Sequence, residues 1–182
     1  MIISKIKVSN DMNKKKELII RNAKIEDAES IIRINIDGWK ETYTGIFPSN
    51  ILENLELKKE ESIVKCKNKI SEYIVCEINN KVVGFLRFGK NRKNYDDNYG
   101  EIYAIYVDYN YQRMKAGKKL LDFAFKLLRK SYKYVLISTL EDNSANIFYQ
   151  KCGGKQIGTC NFKLEDNEYK ENLYLFTLAI NK

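Results

Sequence analysis

The chain has 182 residues, 44% of them hydrophobic and 31% charged, with one proline. That suits one domain of ordinary size, able to bury roughly 70% of its unfolded surface without a staple. The formal net charge of +8 favours anionic ligands, but the lysines are scattered among acidic residues and form no block longer than Lys14–Lys16. That pattern describes a solvated surface better than a nucleic-acid footprint.

In chain order, residues 1–16 read as an N-terminal extension, with Ile2, Ile3, Ile6 and Val8 able to form a short extra strand. The run Leu18-Ile19-Ile20-Arg21 opens the core as a strand, so the domain proper spans 17–182. From Ile25 to about Tyr43, Ala28, Ile31, Ile32, Ile36 and Trp39 keep helical spacing. Thr44-Gly45 breaks that helix, and Pro48-Ser49-Asn50 starts a second helical region to about Ile70. The charged run Lys58 to Glu61 interrupts its apolar line and leaves open a division into two pieces.

Tyr73–Ile78 and Lys81–Gly89 read as strands joined by Asn79-Asn80, a pair suited to a type I′ turn. Gly84 within the second marks a bulge or a close backbone approach. After a polar loop, Glu101–Val107 is an apolar strand, then a basic turn leads into a helix striped by Leu120, Leu121, Ala124, Leu127 and Leu128. Tyr134–Leu140 is a further strand, Asn143 opens a short helix that Gly153-Gly154 stops, and strands at 156–164 and 171–180 close the chain around a polar turn at 165–170. The strand–helix–strand unit from Glu101 to Leu140 implies a right-handed crossover with parallel strands. Hairpins flank it on both sides, so the fold class is α/β, a mixed sheet with helices on both faces.

The stretch from Tyr103 to Leu121 carries the clearest chemical signal. A helix N-terminus leaves backbone N–H groups unpaired and partly positive, and a strand feeding it through a tight turn makes a site for phosphate. Three of the six residues from Arg113 to Lys118 are cationic, which reinforces the sign. The sequence Gln112-Arg113-Met114-Lys115-Ala116-Gly117 resembles the acyl-CoA-binding turn of the GNAT N-acetyltransferases, R/Q-x-x-G-x-G/A, with Lys115 in place of the first glycine. Two further stretches stand in that family's order. Trp39, Tyr43, Gly45 and Pro48 resemble its W-x-x-x-Y-x-G-x-x-P segment, and Asn143, Ala145, Phe148, Tyr149 and Gly153 resemble its N-x-x-A-x-x-F-Y-x-x-x-G segment, with Ala145 one residue nearer to Asn143.

The resemblance implies a GNAT fold over about 17–182, and acetyl-CoA as co-substrate with direct transfer to a primary amine of a polyamine, an antibiotic or a peptide. It implies that the N–H groups of Gln112, Arg113, Met114, Lys115, Ala116, Gly117 and Lys118 cradle the pyrophosphate. Pantetheine would lie along Ile105-Tyr106-Val107, where a backbone N–H polarises the thioester carbonyl. Tyr149 would protonate the departing thiolate, Asn143 would serve both cap and cofactor, and Trp39 and Tyr43 would wall the acceptor side. With no histidine in the chain, proton transfer falls to carboxylates, phenols or water, and Glu101 is the first candidate for the base. Asp37, Glu41, Asp96, Asp97 and Glu101 together would favour a cationic acceptor. The alternative is a catalytically inactive GNAT-like module that binds acyl-CoA, a protein or nucleic acid.

Lys115 raises a conformational question. If its position demands positive φ, a side chain there costs about 1–2 kcal/mol. The four cysteines show no CxxC spacing and read as free thiols in a reducing cytoplasm, with no metal expected. No apolar run approaches the roughly 20 residues of a membrane span. A cytoplasmic monomer or homodimer is the corresponding expectation.

Overall fold

The computed structural model describes residues 18–178. The expected N-terminal extension therefore lies outside the described residues, as does the end of the last expected strand. Among the described residues, β1 (Leu18–Asn22) is followed by α1 (Ala28–Tyr43), α2 (Ser49–Leu57), α3 (Lys59–Asn68), β2 (Tyr73–Ile78), β3 (Lys81–Lys90) and β4 (Tyr99–Val107). Then come α4 (Ala116–Leu128), β5 (Tyr134–Leu140), α5 (Ala145–Lys151), β6 (Lys155–Leu164) and β7 (Asn167–Thr177). The strands form one sheet in the order β1-β2-β3-β4-β5-β7-β6. Only β4 and β5 run parallel; every other neighbour is antiparallel. The expected mixed sheet is present, and the second helical region is indeed two helices, α2 and α3.

Side-chain alternation divides the core between two faces. On one, Ile74, Leu86, Ile102, Ile137 and Tyr174 pack with Leu120, Leu121 and Ala124 of α4. On the other, Val75, Phe85 and Tyr73 pack with Ile31, Ile34, Ile63 and Cys66 of α1 and α3. Asn79 and Asn80 both take positive φ, 50° and 61°, as a type I′ hairpin requires.

One boundary differs from the sequence reading. The last hairpin is tight, pairing Leu164 with Asn167, so β7 begins at Asn167 rather than at Glu171. The outer ends of β6 and β7 are mostly solvated on both faces, so a polar run is compatible with strand and hides it from periodicity. Thr44–Phe47 turns α1 back on itself, and Phe47 packs on Tyr43 and on Tyr169 of this hairpin, with ring centroids 4.6 and 4.7 Å apart. That contact brings β6–β7 over the start of α2, where Asn50 Nδ2 donates to Glu165 at 3.3 Å.

Candidate active site

The site originates in a defect of the sheet. β4 and β5 pair from Tyr99↔Tyr134 to Ile102↔Ile137 and then part. Just there β4 carries an extra residue against β3, because Arg87 pairs with Ala104 while Phe88 pairs with Ile102. A bulge of this kind bends its strand and sharpens the twist. Beyond it, Ala104 to Val107 stay paired to β3, but among the described residues their edge toward β5 has no strand partner. The result is a cleft of about 1770 Å³ running from the α1 face through the gap to the start of α4.

At one end, the chain leaves β4 through a short 3-10 turn at Tyr109–Tyr111 that Asp108 caps, accepting from Asn110 N at 3.1 Å. Gln112 Nε2 donates to Val107 O at 3.3 Å and fastens the turn to the strand. Arg113 and Lys115 both take left-handed backbone conformations, φ 60° and 64°, and α4 starts at the next residue. From Arg113 to Lys118 no backbone N–H reaches a carbonyl among the described residues. Gly117 leaves the first turn bare beside Phe148, whose Cζ lies 3.4 Å from where a Cβ would stand. An open row of donors at a helix N-terminus, beside a position without a side chain, fits a phosphate group. Of the expected turn residues, Gln112, Arg113, Lys115, Ala116, Gly117 and Lys118 line the cleft. Met114 points out to solvent and does not. Lys118 forms an ion pair with Asp122 one turn along the helix.

The middle of the cleft is phenolic. Ile105, Tyr106 and Val107 on the free edge face Tyr43, Asn143 and Tyr149. Burial raises the Tyr149 phenol, with Tyr43 adding to it, and raises Tyr106 and Tyr43 as well. All three are therefore neutral near pH 7, donors rather than anions. Asn143 Oδ1 accepts from Ala145 N at 2.8 Å and caps α5, which carries Tyr149. Asn146 ties the same helix to the end of β5 through Leu140 O at 2.9 Å and accepts from Tyr174 Oη at 2.8 Å.

At the other end stand Trp39, Tyr43 and Phe47, with Phe162 and Tyr169 across from them. Glu101 lines this region but is 3% exposed and fully engaged. The Arg92 backbone N–H donates to its Oε2 at 2.7 Å, and Arg92 Nη2 and Nε reach Oε1 at 2.7 and 3.3 Å. Arg92 also lies over the Tyr103 ring at 4.1 Å. The expected acidic lining needs correction. Glu41 and Glu101 do line the cleft, but Asp97 is paired outward with Lys90 at 2.9 Å, Asp96 caps Asn98 N at 2.7 Å, and Asp37 pairs with Arg33 at 3.2 Å. The loop instead contributes the cations Arg92 and Lys93. Glu171 of β7 joins the lining, a residue the sequence reading passed over because it falls where a strand was expected to begin.

The sequence pattern of the acetyltransferase (GNAT) family matches residues 36–154, from the second half of α1 to the stop of α5. The uncharacterized N-acetyltransferase YuaI of Bacillus subtilis is 31% identical over 153 residues, covering 84% of this chain and 88% of its own. A spermidine N(1)-acetyltransferase of Thermoplasma acidophilum is 28% identical over 161 residues, 82% and 90% of the two chains. In fold, the chain resembles the crystal structure of the PaiA N-acetyltransferase from Thermoplasma acidophilum in complex with coenzyme A, with a TM-score of 0.65, 22% identity, and 86% and 98% coverage. The strand gap, the open helix N-terminus and these relationships converge: the chain belongs to the GNAT family and is an N-acetyltransferase.

Proposed function

We propose that the cleft binds acetyl-CoA between the free edge of β4 and the N-terminus of α4, and passes its acetyl group directly to a primary amine entering past Trp39 and Tyr43. One observation carries this reading: the parting of β4 from β5 after Ile102 opens toward the same end as the unpaired N–H row. An extended pantetheine can take the place of the missing strand on Tyr103–Val107, and its pyrophosphate then falls at Arg113–Lys118. Bound acetyl-CoA supplies an activated acetyl group as a thioester.

The chain's own groups do the rest. A backbone N–H on the open edge of β4 donates to the thioester carbonyl oxygen, where charge builds during attack. Tyr149 faces the leaving sulfur. Its raised phenol is a weaker acid than a thiol of ordinary pKa, about 8.5, so full protonation of the sulfur by Tyr149 is uphill. Tyr149 therefore acts chiefly by holding a hydrogen bond to the developing thiolate. Asn143 positions α5 so that this phenol stays in place. The aromatic wall of Trp39, Tyr43 and Phe47 excludes water and holds the alkyl part of the acceptor. Glu41 and Glu171 supply carboxylates here beside the cations Arg92 and Lys93, and the similarity to a spermidine N(1)-acetyltransferase supports a polyamine-type acceptor.

Thiol release from acetyl-CoA, measured with spermidine, an aminoglycoside and a peptide bearing a free N-terminus, tests the reading. Amine-dependent release is expected, fastest with spermidine. Tyr149→Phe is expected to lower kcat about tenfold or more while leaving acetyl-CoA affinity intact. Acetyl-CoA binding with no release for any amine would overturn transfer in favour of a binding module.

A further inference from the structure

Acetyl transfer to an alkyl amine near neutral pH begins with a proton in the wrong place, because an ammonium of pKa about 10 has no lone pair to attack with. Glu101 stands near the chemistry but is committed to Arg92, which occupies both of its oxygens. The sheet register supplies another carboxylate. Glu101 pairs with Leu136 of β5, Leu136 with Leu175 of β7, and Leu140 with Glu171. Positions 136, 138 and 140 share one face of β5, so Glu101, Ser138 and Glu171 lie on the same face of the sheet. It is the α1 face, opposite to Ile102, Ile137 and Tyr174. On that face the cleft reaches Ser138 and Leu140 of β5 and Glu171 of β7.

The surroundings of Glu171 differ from those of Glu101. Glu171 is half-buried, and its one side-chain hydrogen-bond partner among the described residues is the Cys160 thiol, which donates to Oε2 at 3.7 Å. Lys93 is nearby, but its ammonium sits 3.5 Å from Cys160 Sγ rather than on the carboxylate. The charged and titratable groups facing Glu171 are Lys93 and Arg92 from the β3–β4 loop, Glu101 from β4, Cys160 from β6 and Tyr43 from α1. Burial pushes the carboxyl up, Lys93, the Cys160 hydrogen bond and Arg92 oppose this, the Glu101 charge adds to it, and the net direction is upward. A half-buried carboxylate without an ion-pair partner among the described residues, in a cleft, is the arrangement a general base needs.

We propose that Glu171 takes the proton from the acceptor ammonium, with Glu101 and Arg92 forming a structural pair beside it. The inference rests on the acetyltransferase reading above. The ammonium R–NH3+ gives one proton to the Glu171 carboxylate, leaving a carboxylic acid and a free amine. The nitrogen lone pair forms a bond to the thioester carbonyl carbon, and the carbon–sulfur bond breaks with its electron pair on sulfur. A second proton leaves nitrogen to water as the amide forms, and the sulfur, held by the Tyr149 hydrogen bond, takes one proton from water to give a free thiol. Glu171 then returns its proton to water.

The test is the pH profile of spermidine-dependent thiol release for the native chain, Glu171→Gln, Glu171→Asp and Glu101→Gln, with acetyl-CoA affinity measured by calorimetry on each. Glu171→Gln is expected to bind acetyl-CoA normally and to lose about 100-fold or more in kcat near neutrality. Its rate is expected to climb about tenfold per pH unit on the alkaline side, following the free amine, so that its deficit shrinks as pH rises. Glu171→Asp is expected to recover part of the rate, and Glu101→Gln to keep the native shape of the profile. A Glu171→Gln rate equal to native at every pH, or lower by one constant factor throughout, would overturn the proposal, as would loss of the acidic limb in Glu101→Gln instead. If the native chain itself shows no turnover with any amine, the acetyltransferase reading falls and this inference falls with it.

Discussion

Gly38 lies inside α1, where glycine costs about 1 kcal/mol relative to alanine. The close approach of the Tyr106 ring explains why that cost is accepted. A Cβ at this position would stand 2.3 Å from Tyr106 Cδ1 and 2.9 Å from Cε1, roughly 1.2 Å inside an ordinary carbon–carbon contact of about 3.5 Å. Tyr106 has little room to yield. Its carbonyl oxygen lies 3.0 Å from where a Cβ on Gly84 would be, and its ring leans on Phe85 at 5.9 Å. Gly38→Ala thus sets a gain of about 1 kcal/mol in helix propensity against overpacking of about 1–3 kcal/mol, a net loss of about 0–2 kcal/mol. In a Tyr106→Ala background the clash is gone, and the same substitution is expected to stabilise by about 1 kcal/mol. Denaturant unfolding of the four proteins measures the coupling, expected at about 1–3 kcal/mol. Because Tyr106 lines the cleft, acetyl-CoA affinity should fall in Gly38→Ala as the ring is driven toward it. A Gly38→Ala protein about 1 kcal/mol more stable than native would refute the reasoning, since the full propensity gain would mean that no clash exists.

Other positions yield independent outcomes. Lys115→Gly relieves a left-handed residue worth about 1–2 kcal/mol against glycine's entropic cost of about 0.5–1 kcal/mol, so unfolding should show a gain of about 0–1.5 kcal/mol. Its acetyl-CoA affinity should change by less than about fivefold, because the N–H groups remain and only one exposed cation is lost; a larger fall would assign the phosphate contact to the ammonium. Arg92→Gln leaves the Glu101 side chain, 4% exposed, without its guanidinium, and should cost about 1–3 kcal/mol, most of which Arg92→Gln with Glu101→Gln recovers. Asp27 is pushed up by burial, but Arg21 at 2.6 and 3.0 Å and the Lys24 N–H at 2.7 Å outweigh this, and its carboxyl lies below the usual range. A depressed carboxylate stabilises the fold above its unfolded pKa of about 3.9 and loses that contribution as pH falls through the folded value. Asp27→Asn should therefore destabilise by about 1–3 kcal/mol near pH 7, and by progressively less as pH falls below the unfolded carboxylate range.

Much of this architecture was legible in the residues because local chemistry and global fold agree. Asn79-Asn80 specifies a turn with two left-handed residues, and that is the turn found. The aromatic break from Trp39 to Pro48 announces a chain reversal, and the apolar strand running into a basic turn announces the helix N-terminus. What escaped depends on partners distant in sequence. Nothing local marks Gly38 as the socket for Tyr106, sixty-eight residues away. Nothing in the polar loop after β3 shows that Arg92 turns inward to Glu101 while Asp96 and Asp97 turn outward. Glu171 is hidden for a related reason: only pairing with both Leu140 and Cys160 places it on the cleft face. The parting of β4 and β5 is likewise a property of the sheet, created by one extra residue against β3 and invisible in the spacing of either strand.

Amide hydrogen exchange with and without acetyl-CoA tests the central claim most directly, since the backbone of two separate segments is said to hold the ligand. Added acetyl-CoA is expected to slow exchange at Arg113–Lys118 and along Tyr103–Val107 together, with little change in β1, β2 or α3. Binding that leaves both segments as fast as before, or protection confined to the outer face of the sheet, would contradict the placement of the cofactor in this cleft.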